Sequence, residues 1–309
     1  MEKNKQKVVC FGEILWDNLP GGKKPGGAPM NVAYHLNQLG IESTLISRVG
    51  YDADGFELLK VLEERSISLE YCQLDSKYKT SKVEVVINDN HEVSYDIVFP
   101  VAWDFIEPDQ RHISLLQDAN ALVFGSLVTR NKTSKDTLEQ LLESPVYKVF
   151  DINLREPYID KETITRLLHK TDLLKLNLHE LEIIAGWYSS SSKRDEDKVA
   201  ILHNEYNIKE VIVTRGSSGA SYFSPDIHYH YPAYKVEVND TVGSGDSFLA
   251  AFLYKKLSGE SLEETLDFAS AMGAFITTQT GACPHYSRSD LNRFQFNNEI
   301  IKNNQLINQ

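Results

Sequence analysis

Apolar residues fall into two alternating kinds of run along this chain. Short uninterrupted stretches at 8–12, 44–49, 121–125, 147–152, 173–177 and 211–214 are rich in Val, Ile, Leu and Phe. They lack the polar alternation of a half-exposed strand, so they predict strands buried on both faces of a mostly parallel sheet. Between them, apolar residues recur at helical spacing over 30–39, 55–65, 135–142, 161–169, 179–184, 198–206, 247–257 and 262–279. Such alternation predicts an α/β fold, a doubly wound, mostly parallel sheet with helices on both faces.

The stretch 69–99 breaks this rhythm. Strand-like alternation appears at 69–74, 81–88 and 92–99, with Asn88-Asp89-Asn90 marking a hairpin turn between the last two. No helix separates these strands. They predict a small antiparallel β-sheet set apart from the main layer, joined by 14–18. A small sheet beside a site is a candidate lid, and its exposed face a candidate homodimer contact. The expected organisation is one domain over 1–301, with the lid formed by about 14–22 and 69–104, and a polar tail over 302–309.

Charge narrows the partners. The chain carries 32 basic and 44 acidic residues, a formal net charge of −12, with no Lys/Arg cluster beyond its first residues. Nucleic-acid binding needs a clustered basic face, so no nucleic-acid partner is expected. An anionic substrate would need locally placed positive groups. Cys10, Cys72 and Cys283 are scattered and form no CxxC, which fits a reducing cytoplasm rather than a disulfide framework or zinc site. His228-Tyr-His230 has metal-pair spacing but no third ligand, and reads as strand surface. No leader pattern and no membrane-spanning apolar run is visible, so no membrane partner is expected. The triplets at Asn131 and Asn239 match a glycosylation pattern, but the second lies inside the candidate site described next, and both read as chance.

The densest chemistry lies at 239–248. A predicted strand at 234–238 leads into Gly243-Ser244-Gly245-Asp246, and an amphipathic helix leads out. Two glycines let successive amides converge, and a helix N-terminus favours an anion. Beside that cradle stands the carboxylate of Asp246. The pair suits phosphoryl transfer, with the amides holding the phosphoryl group and the carboxylate taking the proton of an attacking hydroxyl. The alternative is an ordinary capped turn.

Further polar groups fall at strand ends, where ligands gather in open α/β sheets. Gly26-Gly27-Ala28-Pro29-Met30-Asn31 enters a helix, and Asn31 can donate to and accept from a hydroxyl-rich molecule. Asp17, after the first strand, is a candidate second hydroxyl partner or simply a turn residue. Asp151-Ile-Asn153-Leu-Arg155 places Arg155 to hold a phosphate. In Asn177-Leu-His-Glu180, Glu180 can act through water on Mg2+, or simply complement a helix dipole. Thr214-Arg-Gly216-Ser-Ser-Gly219 can line a nucleotide. There is no Walker A sequence, no third glycine of a dinucleotide fingerprint (Phe248 stands there), and no Gly-x-Ser-x-Gly elbow.

Taken in order, these motifs resemble the ribokinase-like, PfkB family of carbohydrate kinases. Segment 26–33 resembles its first signature and 240–248 its second; Gly50-Tyr-Asp52-Ala-Asp54-Gly55, 151–155, 177–180 and 213–216 match further family motifs, covering about 8–287. The resemblance implies a sugar kinase using ATP and Mg2+. It implies Asp246 as general base, with Gly243, Ser244 and Gly245 contributing amides around the γ-phosphate. Asp17, Gly27, Asn31 and Arg155 would hold the sugar. Asn177, Glu180, Thr214, Gly216, Gly219 and Ser270 would serve the nucleotide and Mg2+. Ser270 departs from the Asn of many relatives, which bears on nucleotide preference. Carbonyls of Asp240, Val242 and loop 277–283 would hold a monovalent cation such as K+. Gly27-Ala28-Pro29 resembles the fructokinase branch, with 2-keto-3-deoxygluconate, ribose and nucleosides as alternative substrates. Glu92 and Asp96 on the lid strand favour a neutral sugar, while Tyr95, Phe99 and Trp103 keep a stacked nucleoside open. A silent sugar sensor is the alternative of another class, disfavoured by the intact Asp246.

Overall fold

A computed structural model describes residues 5–19, 22–87, 93–188, 192 and 194–307. The expected hairpin turn at 88–90 and Glu92 lie outside the described residues, as do the side chains of Tyr95 and Asp96.

The chain runs β1 (Lys7–Phe11), β2 (Leu15–Leu19), β3 (Gly22–Gly26), α1 (Ala28–Leu39), β4 (Glu42–Gly50), α2 (Ala53–Glu64), β5 (Cys72–Asp75), β6 (Ser81–Ile87) and β7 (Val93–Ile97). It continues through α3 (Gln110–Gln117), β8 (Ala121–Gly125), α4 (Lys132–Leu141), β9 (Tyr147–Asp151), α5 (Lys161–Leu168), β10 (Leu173–Asn177), α6 (Leu178–Gly186), α7 (Asp195–Tyr206) and β11 (Glu210–Thr214). The last elements are β12 (Ala220–Ser224), β13 (Ile227–Tyr231), α8 (Ser244–Leu257), α9 (Leu262–Thr277) and α10 (Arg288–Ile307).

Nine strands form one sheet in the order β13-β12-β11-β10-β9-β8-β1-β4-β5. All neighbours from β11 to β5 are parallel, and β12 and β13 extend the edge antiparallel. Successive side chains serve opposite cores. Val8 and Cys10 pack with Met30, Leu249 and Met272 from α1, α8 and α9. Val9 and Phe11 pack with Leu138, Ile164 and Leu181 from α4, α5 and α6. Both faces are covered, which is why these strands read as continuous apolar runs.

Caps set the helix ends. α6 and α9 open on capping boxes, Asn177 with Glu180 and Ser261 with Glu264. α1 ends at Gly40, which is left-handed at φ 95°.

The second sheet has the order β3-β2-β6-β7. It contains two of the three expected lid strands, plus β2 and the unexpected β3. Its β2–β3 and β6–β7 pairs are antiparallel and its central β2–β6 pair is parallel. The third expected lid strand belongs elsewhere: Cys72–Asp75 pairs parallel with β4 at the edge of the main sheet. An edge strand is half exposed, with Leu74 at 46 %, so it alternates without being antiparallel. The expected strand at 234–238 is coil, anchored by buried Tyr234 and leaving Val238 62 % exposed. α3, α10 and the β12–β13 hairpin were not expected, and residues 302–307 continue α10 instead of forming a tail.

The small sheet is tied down at its base. Asp52 caps α2 and accepts from the Thr80 amide and hydroxyl at 2.9 and 2.7 Å, just before β6. Asp54 pairs with Lys82 of β6 and Lys23 of β3. Beyond β7, Arg130 donates to the carbonyls of Ile97 and Val98 at 3.0 and 2.7 Å, and pairs with Asp104 at 2.6 Å. Both side chains of that pair are fully buried, and the guanidinium lies 4.0 Å from the Trp103 ring centre. Arg130→Met strands a buried carboxylate, so urea unfolding should show a loss of about 3–5 kcal/mol. A loss below about 1 kcal/mol, the scale of a surface pair, would remove Arg130 as the anchor.

Candidate active site

The carboxyl ends of β1, β9, β10 and β11 open onto a cleft of about 390 Å³. Leu15, Asp17, Val83 and Ile97 of the small sheet form its opposite wall. A second cleft of about 610 Å³ lies alongside, between Thr214–Gly219, the coil at 233–241, and helices α8 and α9. Thr214, Thr241 and Gly245 line both. The N-terminus of α8 is therefore the partition between two binding spaces.

That partition is bare backbone. Gly243 is left-handed at φ 76°, and a Cβ there would sit 2.6 Å from the Ala282 backbone. The Ser244 amide donates to the Thr241 carbonyl at 3.3 Å, and the Ser247 amide to Gly243 at 2.9 Å. The amides of Gly245 and Asp246 have no acceptor among the described residues. Free amides at a helix N-terminus favour an anion.

Asp246 points into the first cleft, and its carboxylate accepts from Asn31 Nδ2 at 2.7 Å. The Cys283 thiol donates to Asn31 Oδ1 at 3.2 Å, fixing the amide's orientation. Nearby, Lys175 pairs with Asp151 at 2.7 Å, both buried. Burial pushes the Asp246 carboxyl up to about 6; the Asp151 charge adds to this, and Lys175, Asn31 and Arg155 oppose it. Burial likewise raises Glu13 to about 7 and Asp17 to about 6. For Lys175, burial acts downward, but Asp151, Asp246 and Glu180 outweigh it and hold the ammonium charged.

Most expected site residues converge here. Asp17, Gly27, Asn31 and Arg155 share the first cleft with Asp246. Gly27 is left-handed at φ 115°, and a Cβ there would meet the Glu13 carbonyl at 2.4 Å. Asn177, Glu180 and Val242 line the same cleft, while Gly216, Gly219, Ser244 and Ser270 line the second. Glu180 accepts the amides of Leu154 and Asn177 at 3.0 and 2.8 Å, so it caps α6 as well as facing the cleft. Each carboxylate oxygen keeps a second lone pair, which suits a water-mediated metal contact. The Ser270 hydroxyl is buried without a protein partner among the described residues.

Asp240 lines neither cleft; its carboxylate accepts from the Val242 and Gly281 amides at 3.0 and 2.9 Å, tying two loops together. His228 and His230 sit on β13, beside Glu196 and Ser221. Sequence reasoning missed Glu13 and Lys175. Each had a signal, a charged residue inside an otherwise apolar strand context (Gly-Glu-Ile-Leu and Leu-Leu-Lys-Leu).

The sequence matches the description pfkB family carbohydrate kinase across residues 5–288. The chain belongs to this family. A protein named probable fructokinase-2 from Arabidopsis thaliana is 29% identical, with 91% of this chain and 93% of that protein covered. Fructokinase from Vibrio cholerae O395, in a fructose, ADP and calcium ion bound form, superposes with a TM-score of 0.81 at 25% identity, covering 95% of this chain and all of that one. Aminoimidazole riboside kinase from Salmonella enterica, complexed with aminoimidazole riboside and an ATP analog, shares the fold at a TM-score of 0.76 and 24% identity, covering 94% and 100%.

In this carbohydrate kinase the partly buried Asp246 carboxylate is a stability cost. Its folded pKa lies above the unfolded value, so the penalty is full above about pH 6 and vanishes below the unfolded value of 3.8. Asp246→Asn should therefore raise the unfolding free energy above pH 6 by up to about 3 kcal/mol, one pKa unit being worth about 1.4 kcal/mol. The gain should fade toward pH 4 in urea melts; a gain independent of pH would show that ionisation is not its source.

Proposed function

We propose that the chain is an ATP-dependent fructokinase. The observation that carries the reading is the partition: unpaired amides of α8 between two clefts, with the Asp246 carboxylate on one side. Fructose occupies the cleft under the small sheet and ATP the one along α8 and α9. Asp246 removes the proton of the primary hydroxyl, that oxygen attacks the γ-phosphorus in line, and ADP leaves. The product is fructose 6-phosphate. The Gly245 and Asp246 amides, without an acceptor among the described residues, stabilise charge on the transferred group. Arg155 lies near both the sugar and that group. When bound, Mg2+ neutralises phosphate charge; Glu180, beside Asn177, would hold it through water. Carbonyls of Asp240 and Val242 would take K+.

Two features support fructose over the alternatives. Glu13, Asp17, Asp151, Glu180 and Asp246 line the sugar cleft against two cations among the described residues, Arg155 and Lys175, and Lys175 is already committed to Asp151. That balance disfavours a sugar acid such as 2-keto-3-deoxygluconate. No aromatic ring lines the cleft among the described residues, and Trp103 is fully buried in the core, so those residues offer no stacking platform for a nucleoside base. Relatives named as fructokinases agree with this choice. We further place the protein in the cytoplasm as a single domain over 1–301, with the small sheet as its lid and homodimer face.

Two experiments test the reading. ATP turnover with Mg2+ and K+ across fructose, ribose, 2-keto-3-deoxygluconate and adenosine should favour fructose; preference for another acceptor replaces the sugar, and silence with retained binding favours a sensor. Asp246→Asn should lower kcat by roughly a hundredfold to ten-thousandfold while fructose still binds. The base must be ionised, so wild-type kcat/KM should fall as pH drops through about 6. Asn31→Ala removes a contact that lowers the Asp246 pKa, so it should move that acid limb upward; an unmoved limb would assign it to another group.

A further inference from the structure

Glu13 stands just after β1, at the carboxyl edge of the sheet, and lines the sugar cleft. It is 2 % exposed, and its Oε2 has no hydrogen-bond partner among the described residues. The carboxyl feels the charges of Arg155 and Asp246 and the amides of Glu13 and Ala28. Leaving a buried polar atom unpaired costs about 1–3 kcal/mol, so such an atom implies a partner that arrives later. A structural role accounts for less. The close approach at Gly27 involves the Glu13 backbone carbonyl, which any residue supplies.

We propose that the Glu13 carboxyl binds one hydroxyl of the sugar other than the one phosphorylated, and so selects a neutral polyhydroxylated acceptor over a sugar acid. This rests on the reading of the cleft as the sugar site. Burial raises the carboxyl to about 7, so below that pH its protonated form can both donate to and accept from a hydroxyl. A sugar carboxylate in the same place would meet a group that ionises beside it, with Asp17 on the facing wall of the cleft.

The test uses the full chain with Glu13→Met, which keeps volume and removes polarity, and Glu13→Gln, which keeps a donor and an acceptor. Kinetics are run on fructose and on analogues each lacking one hydroxyl. In the wild type one analogue should lose roughly tenfold or more in kcat/KM. In Glu13→Met the fructose KM should rise by a similar factor with the ATP KM unchanged, and that analogue should become no worse than fructose. Glu13→Gln should keep the wild-type ranking. A Met variant that weakens all sugars equally, or none, overturns the proposal. Should it fail to fold, Glu13→Gln decides: above pH 7 its preference for fructose over 2-keto-3-deoxygluconate should narrow, and an unchanged ratio overturns the proposal. Where no sugar is turned over by the wild type, the kinase reading itself fails, and calorimetric sugar binding carries the same comparison of variants.

Discussion

A lysine buried in the sheet holds the site together. Lys175 lies on β10 directly opposite Asp151 of β9, so the hydrogen-bonded register itself makes the ion pair. Burying an ammonium is unfavourable unless a counter-charge is at hand, and the register supplies one without any loop having to be placed. The same ammonium acts on Asp246 and Glu180. The Asp151 charge raises both Asp246 and Glu180, and the lysine opposes it at each, which favours the ionised form of Asp246. A Cβ at Gly245 would sit 3.3 Å from the Lys175 nitrogen, so α8 begins almost in contact with this charge. The lysine thus fixes both the ionisation of the carboxylate and the seat of the amides beside it.

The second constraint joins the two ends of the chain. α1 reaches the loop after α9 through Asn31 with Cys283, His35 with Ala282 and Tyr34 with the Pro284 carbonyl. Ala282 in turn crowds Gly243, leaving no room for a side chain there. The helix whose Asn31 holds the Asp246 carboxylate therefore also sets the turn that starts α8. His35 is pushed down to about 4 by burial, so it stays neutral and one ring nitrogen can accept while the other donates. These contacts span more than two hundred residues, so no local sequence window contains them.

Legibility followed the same division. Gly243–Asp246, Asn31 and the strand-end residues Arg155, Asn177 and Thr214 could be found because backbone chemistry ties glycine, cap and carboxylate to fixed local spacings. Glu13 and Lys175 share the site equally, but their meaning depends on register and on a partner strand. Strand type at the sheet edges was opaque for a related reason. The alternation of 69–74 records half-burial, which an edge strand of a parallel sheet and a strand of a small lid have in common. Segment 234–238 has strand-like composition, yet it runs as coil along the second cleft, with Tyr234, Lys235, Val236 and Val238 in its lining. Trp103 looked like a stacking platform, and its neighbour Arg130 shows why it is not: the ring is the apolar floor under a buried guanidinium.

A chain of net charge −12 that binds a polyphosphate faces a field of the wrong sign. A cluster of Lys and Arg would answer it, but such a cluster must be desolvated, and it would bind the leaving nucleotide as firmly as the one that arrives. The second cleft takes another route. Lys235 is the single charged side chain lining it among the described residues. Its polar lining is otherwise mostly glycine backbone, hydroxyl and helix terminus. Amide dipoles fixed by the fold carry no net charge to desolvate and need no reorientation during transfer, so their strength is concentrated where charge develops. Glycine at 243 and 245 follows from this requirement: the polar groups that matter are in the backbone, and side chains have to stand clear of them.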